Sequence, residues 1–175
     1  VSFDEDGSDQ VSLSGSDVDG DNLTYSITGG SDITAELTGS DITFSAPQDF
    51  NGSESFSVSV TDGEYIDSQI ITVTVNAVND APVLSAVGDR EVDEDTSLNF
   101  LLSASDAEGD LLTYSVTSGT NITSTLVGND LTFTPNENFN GSEDFTIIIN
   151  DGNLEDSETF TLTVNAVNDA PVLAA

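Results

Sequence analysis

The segment Val75–Leu84 returns unchanged as Val164–Leu173. Asp4-Glu5-Asp6 returns as Asp93-Glu94-Asp95, Leu23–Ser26 as Leu112–Ser115, and Phe50–Glu54 as Phe139–Glu143, all at one offset of 89 residues and with no gap. About half of the aligned positions are identical. A period of this length is too long for a small solenoid repeat and suits a self-contained sandwich domain. The chain therefore divides into a repeat over 1–80, a second over 81–169, and the start of a further one over 170–175. Val1 aligns with Arg90, so the leader Ala81–Asp89 of the second repeat has no counterpart in the first, and the chain reads as a window on a longer array.

Within each repeat the apolar residues alternate with period two, the pattern of strands with one buried face. Val11 and Leu13; Leu23, Tyr25 and Ile27; Ile42 and Phe44; Phe56, Val58 and Val60; and Ile71, Val73 and Val75 alternate with serine and threonine. The second repeat follows with Phe100 and Leu102; Leu112, Tyr114 and Val116; Leu131 and Phe133; Phe145, Ile147 and Ile149; and Phe160, Leu162 and Val164. Asn51-Gly52, Asp62-Gly63, Asn140-Gly141 and Asp151-Gly152 mark turns. Phe50 and Phe139, beside two of these turns, read as core plugs. No helical period extends beyond two turns. The expected fold is all-β: two tandem Greek-key β-sandwiches of about seven strands each.

The charge is lopsided, with 33 acidic residues against one basic residue, Arg90, for a formal net charge of −32. Phosphate contacts need Lys and Arg, so nucleic acid is excluded as a partner, and anionic membrane surfaces are disfavoured. No apolar stretch approaches the ~18 residues of a membrane span, and no leader peptide is visible at the start. With no Cys and no His, disulfides and zinc sites are excluded. The acidic residues gather in turns at strand ends: Asp4-Glu5-Asp6; Asp17, Asp19 and Asp21; Asp62; Asn79-Asp80; and, one period on, Asp93-Glu94-Asp95; Asp106, Glu108 and Asp110; Asp151; Asn168-Asp169. Two such charges ~4 Å apart repel by on the order of 4 kcal/mol at an effective dielectric near 20. The natural counter-charge is a hard divalent cation. Ca2+ accepts 6–8 oxygen ligands in flexible geometry, whereas Mg2+ holds its waters more tightly. Asp17–Thr28 is not an EF-hand, because Gly20 falls at the fourth loop position instead of the sixth and Thr28 stands where the closing Glu belongs.

Three segments carry a resemblance: the linker Val78-Asn79-Asp80-Ala81-Pro82-Val83; Ser16–Ile27, with its spaced aspartates before Tyr25-Ser26-Ile27; and the turn Val60-Thr61-Asp62-Gly63. Together they resemble the cadherin-like (dystroglycan-type) tandem repeats of large secreted bacterial adhesins, over essentially the whole chain. The resemblance implies cadherin/immunoglobulin-like sandwiches with Ca2+ between consecutive repeats. It implies ligands from Glu5, Asp49 and Asn51 at the end of the first repeat, Asn79 and Asp80 in the linker, and Asp106, Glu108, Asp110 and Asp151 at the start of the second. Asp17, Asp19 and Asp62 would serve a preceding junction, and Glu94, Asn168 and Asp169 a following one. Two departures stand out. Ala77 replaces the first linker aspartate, and Gln48-Asp49-Phe50-Asn51 and Glu137-Asn138-Phe139-Asn140 replace the cadherin Asp-Arg-Glu turn, so fewer than three ions per junction are expected.

The function expected from this reading is a non-catalytic, calcium-stiffened extender of an extracellular or bacterial cell-surface adhesin, used for cell adhesion or biofilm formation, with neighbouring repeats as its partners. The alternative is a module that grips a glycan or a homophilic or other protein partner. Catalysis by a carboxylate pair is disfavoured by the absence of His and Cys and by the duplication of the whole pattern. A sugar site would want an exposed aromatic platform. Trp is absent, and Tyr65, the aromatic outside the core registers, is matched by Leu154 in the second repeat.

Overall fold

A computed structural model describes residues 1–171 and 173; the expected start of a further repeat over 170–175 lies partly outside them. The chain folds as two compact units, Val1–Val78 and Asn79–Ala175. The first contains β1 (Ser2–Asp4), β2 (Ser8–Ser12), β3 (Thr24–Gly29), β4 (Thr34–Thr38), β5 (Asp41–Ser45), β6 (Gly52–Thr61) and β7 (Ile66–Asn76). They form a four-stranded sheet, β1-β7-β6-β3, and a three-stranded sheet, β2-β5-β4. The second unit contains β8 (Val83–Leu84), β9 (Arg90–Asp93), β10 (Leu98–Leu101), β11 (Ala104–Ser105), β12 (Thr113–Val116), β13 (Ile122–Val127), β14 (Asp130–Pro135), β15 (Gly141–Asn150) and β16 (Glu155–Asn165). Its sheets repeat the scheme as β9-β16-β15-β12 and β10-β14-β13, with β8 pairing β11. The all-β sandwich expected from the alternation is the fold found. In each unit the first strand of the large sheet runs parallel to the last, with Phe3 opposite Val75 and Val92 opposite Val164.

Alternation places one side of every strand inside. Ile42, Phe44, Phe56, Val73 and Val75 are buried in the first core, and Leu131, Phe133, Phe145, Ile147 and Leu162 in the second. Phe50 and Phe139 plug these cores from their turns, as expected. The cores differ in their aromatic content. The first has one close ring pair, Phe44–Phe56 at 5.2 Å. The second has a cluster in which Phe133 lies 4.5 Å from Phe145 and 5.8 Å from Phe160. Arg90, the single cation, lies 5.2 Å from the centre of the Phe100 ring.

β4 and β13 are not among the strands expected above. Thr34–Thr38 turns Ala35 and Leu37 inward, and Ile33 before it is buried, so the period-two pattern is present there but weakened by the small alanine. Both are edge strands whose entrance is held by an acid from the opposite sheet. Glu54 accepts the backbone N–H groups of Ser31, Asp32 and Ile33 at 2.8, 3.1 and 3.1 Å. Glu143 accepts those of Thr120, Asn121 and Ile122 at 3.0, 2.8 and 3.3 Å, and the Asn121 side-chain amide at 2.9 Å. The N–H of Asp32, then that of Ser31, hold the Glu54 carboxyl below the ordinary glutamate range. Desolvation works to raise Glu143, but its Asn121, Thr120 and Ile122 donors outweigh it and lower the value.

A lowered folded value means that this stabilisation is complete above the unfolded glutamate value of ~4.3 and is lost as pH falls through the folded one. Glu143→Gln is expected to lose about 1 kcal/mol at pH 7, less than a fully buried charged hydrogen bond contributes because solvent screens the carboxylate. The gap between variant and wild-type urea midpoints should close below about pH 4. Ahead of β4, Gly30 has φ +79°, and a Cβ there would stand 2.4 Å from the Ile33 carbonyl oxygen and 2.7 Å from the Phe56 ring. Gly30→Ala should therefore destabilise the first unit by roughly 1–3 kcal/mol, read as a lower urea midpoint.

Candidate metal centre

At the end of the first unit, β1 turns into β2 through Asp4-Glu5-Asp6-Gly7, closed by Gly7 N–H on the Asp4 carbonyl at 3.1 Å. Asp6 takes φ 59°, a left-handed conformation that Asp tolerates better than most residues. Glu5 extends the β1–β7 ladder by donating its N–H to the Asn76 carbonyl at 3.0 Å. Its side chain consequently points inward and is only 6% exposed. Oε1 accepts the Val78 N–H, while Oε2 is buried with no hydrogen-bond partner. Asp49, also left-handed at φ 56°, donates its N–H to Asp6 Oδ1 at 3.2 Å. The Asp6 and Asp49 carboxylates come within 4.8 Å of each other. Asn51 is exposed two residues further on.

The second unit repeats this end with altered chemistry. Glu94 is likewise 6% exposed. Its Oε1 accepts the Val167 N–H at 2.6 Å, but here Asn140 Nδ2 reaches Oε2 at 3.3 Å. Asn138 replaces Asp49 and donates its N–H to Asp95 Oδ1 at 3.0 Å. Asn168 and Asp169 are exposed beyond β16, linked by an Asn168 Nδ2 to Asp169 carbonyl bond of 3.0 Å.

The opposite end of the second unit gathers the linker and three turns. Asn79 Nδ2 donates to Asp151 Oδ2 at 2.9 Å, and Asn153 Nδ2 donates to Asn79 Oδ1 at 3.0 Å. Asp80 N–H donates to Glu108 Oε2 at 3.2 Å. Asp106 Oδ1 caps its own turn by accepting the Asp110 N–H at 2.9 Å, while its Oδ2 is buried without a hydrogen bond. The N–H groups of Leu154 and Asn153, with the Asn79 amide, hold the Asp151 carboxyl below the usual range. The first unit shows the same turns: Asp17 Oδ1 accepts Asp19 N–H and Asp21 N–H at 2.9 and 3.1 Å. Asp62 is lowered by the N–H of Tyr65 and then of Glu64. Asp17 and Asp62 line one shallow groove.

Asn79, Asp80, Glu108 and Asp151 are thus tied into one hydrogen-bonded group, and Glu5 and Asp49 share an end with Asp6. Asp6 is not among the expected ligands, although it stands in a repeated acidic triplet; what the sequence does not display is the turn that swings it to face Asp49. Every donor is oxygen, which suits a hard cation. Glu5 Oε2 and Asp106 Oδ2 are buried acceptors that no protein donor satisfies, and buried polar atoms are seldom left so. Each of these acidic ends, taken by itself, offers oxygen ligands of the kind a hard metal ion takes.

Residues 1–76 and 79–165 each match the model of the family described as "Bacterial Ig domain". The chain belongs to the bacterial Ig domain family. Domains of this kind are typical of surface-displayed and secreted proteins, and the chain carries two of them in tandem. Among solved structures, cadherin domains EC1-2 of human protocadherin-24 are similar at TM-score 0.53 and 16% identity, covering 90% of this chain and 88% of theirs. Cadherin domains EC1-4 of Drosophila N-cadherin are similar at TM-score 0.52 and 16% identity, covering 89% of this chain and 44% of theirs. An endo-fucoidan hydrolase of glycoside hydrolase family 107 is similar at TM-score 0.43 and 24% identity, covering 86% of this bacterial Ig chain, which spans only 24% of the hydrolase's length. No curated protein matches the chain.

Proposed function

We propose that this bacterial Ig pair is a calcium-binding, non-catalytic extender segment of a surface or secreted adhesin, in which an ion held where the two repeats meet stiffens the module. One observation carries the reading. Val78 donates its N–H to Glu5 of the first unit, and the next residue, Asn79, bonds Asp151 of the second. A single peptide bond therefore joins two acidic ends that contain no basic residue. Glu5, Asp6 and Asp49 would supply oxygen from one side, and Asp80, Asp106, Glu108 and Asp151, with Asn79, from the other. Bound there, calcium supplies the missing positive charge and a cross-link between oxygens of both sides. The protein holds those oxygens in place: Glu5 by burial, Asp151 by its turn N–H groups, and Asp6 and Asp49 by their left-handed backbones. Extracellular modules bind Ca2+ weakly, with Kd of roughly 10⁻⁴–10⁻³ M, which suits the medium outside cells. Neighbouring repeats are the partners this role requires.

Small-angle scattering in millimolar calcium is expected to give one narrow distribution of interatomic distances. Excess chelator should broaden it and shift its maximum dimension. An unchanged distribution would show that the two repeats need no ion to hold their arrangement.

A further inference from the structure

The outer face of the larger sheet of the first unit carries no charge across three strands. Side chains alternate along each strand. Those that β3, β6 and β7 turn away from the core are serine, threonine, two isoleucines and, at the end of β7, Asn76. The ladder aligns them in rows, one of Thr24, Thr61 and Ile66 and another of Thr28, Ser57 and Ile70. Ile66 and Ile70 are 74% and 72% exposed. Asp4, on the neighbouring strand β1, stands at one end of the face beside Asn76. The second unit breaks the pattern: Asp144, Glu155 and Thr159 occupy the places of Ser55, Ile66 and Ile70. In that unit the leader is fastened to Asp156 and Glu158, which point to the other side of β16, and Glu155, Ser157 and Thr159 stay exposed. A leader held in this way leaves the outer face open.

Exposed apolar side chains set among polar ones mark contact surfaces. Charge limits what can lie against this one. Copies of a chain with a net charge of −32 repel one another, and an approach that sets carboxylates face to face is costly. Over its three strands, pairing through this face brings no two carboxylates together. The chemistry is also its own complement. A hydroxyl both donates and accepts, so rows of serine and threonine satisfy a second set of the same rows. We propose that this face is a two-fold self-association surface, through which two copies of the chain pack sheet against sheet. The contact is isologous and closes on itself. With the two-fold axis running across the strands above Ser68, the row of Ile66 in one copy meets the row of Ile70 in the other. At ~3.3 Å per residue and ~4.8 Å per strand the face measures roughly 500 Å². A pair therefore covers about 1,000 Å², the lower limit for a specific interface, and binds weakly. It uses no ion and so stands apart from the calcium reading.

Sedimentation equilibrium in excess chelator, at low and at high NaCl, reads the association. The mass of the wild-type chain is expected to rise with concentration towards that of two copies. It should do so at lower protein concentration in high salt, because screening weakens the repulsion and leaves the uncharged contact. Ile66→Glu gives the first unit the residue that the second carries at the same place, so the fold accepts it. Pairing should weaken at least roughly tenfold, since burial of one isoleucine is lost and a charge enters the interface. Gln10→Glu adds the same charge on the outer face of the smaller sheet and should leave pairing unchanged. In methyl NMR, Ile66 and Ile70 should shift as the wild-type protein is concentrated, while the core residue Ile42 stays in place. A chain that remains monomeric in high salt, or one that pairs as well after Ile66→Glu as before, would overturn the proposal. So would equal losses in the two variants. Shifts of Ile66 and Ile70 caused by a neutral dextran and not by concentration would overturn it as well and assign the face to a glycan.

Discussion

Glu5→Gln is expected to abolish most of the calcium-dependent rise in the melting temperature of the first unit. A ligand that binds only the folded state at about 100 times its Kd stabilises by ~2.7 kcal/mol. In a domain of this size each kcal/mol is worth about 4–8 °C, so the wild-type rise should be roughly 10–20 °C. The glutamine side chain would keep an oxygen for the Val78 N–H but would lose the charge that draws the ion. In chelator the order should reverse. Glu5 Oε2 is buried and has no hydrogen-bond partner, so replacing the carboxylate removes an uncompensated buried charge, and the variant should melt at or above wild type. Glu94→Gln is the control: Asn140 already reaches Glu94 Oε2, and this reversal should be weaker. Calorimetry of the three proteins with and without calcium reads all six states. A Glu5→Gln protein that gains as much from calcium as wild type would remove Glu5 from the site.

Phe133→Ala is the second large effect, and it falls on stability alone. The Phe133 ring is fully buried between Phe145 and Phe160. Truncating such a ring costs about 3–5 kcal/mol through lost transfer energy and the cavity left behind. Against a domain stability of ~5–15 kcal/mol, that brings the second unit close to unfolding at ordinary temperatures. The first unit has its own core, so the expected trace has two transitions, with only the second unit's displaced. A single transition moving as a whole would mean that the two units melt as one cooperative body.

The strands with a full inward row were legible because period two leaves few alternatives: Phe56 and Val58, or Phe145, Ile147 and Ile149, cannot all be buried on any other element. β4 and β13 escaped because their inward rows are interrupted by a small residue, Ala35 in one and Ser124 in the other, and their position depends on Glu54 and Glu143, acids contributed from far along the chain. Ile71 reads as core by its alternation, yet it is half-buried, whereas its larger counterpart Phe160 is buried among the rings of Phe133 and Phe145. At the candidate site, residue type and spacing pointed to the acidic turns. They did not show that Asp6 would face Asp49, which depends on two left-handed backbones. Nor did they show that Asn140 satisfies Glu94 while Glu5 keeps one oxygen without a donor.

The parallel pairing of β9 with β16 has a mechanical consequence. In the second unit the chain arrives at Asn79, beside the turn at Asp151, and leaves beyond Asn165, beside Glu94, at the other end of the eleven-residue strand β16. A pull on the two ends drags the leader and β9 one way and β16 the other. The four β9–β16 residue pairs, and the Asp156 and Glu158 bonds to the leader, then bear load together in shear and do not peel apart one by one. A unit built this way resists tension applied between its two chain ends, along the direction of β16.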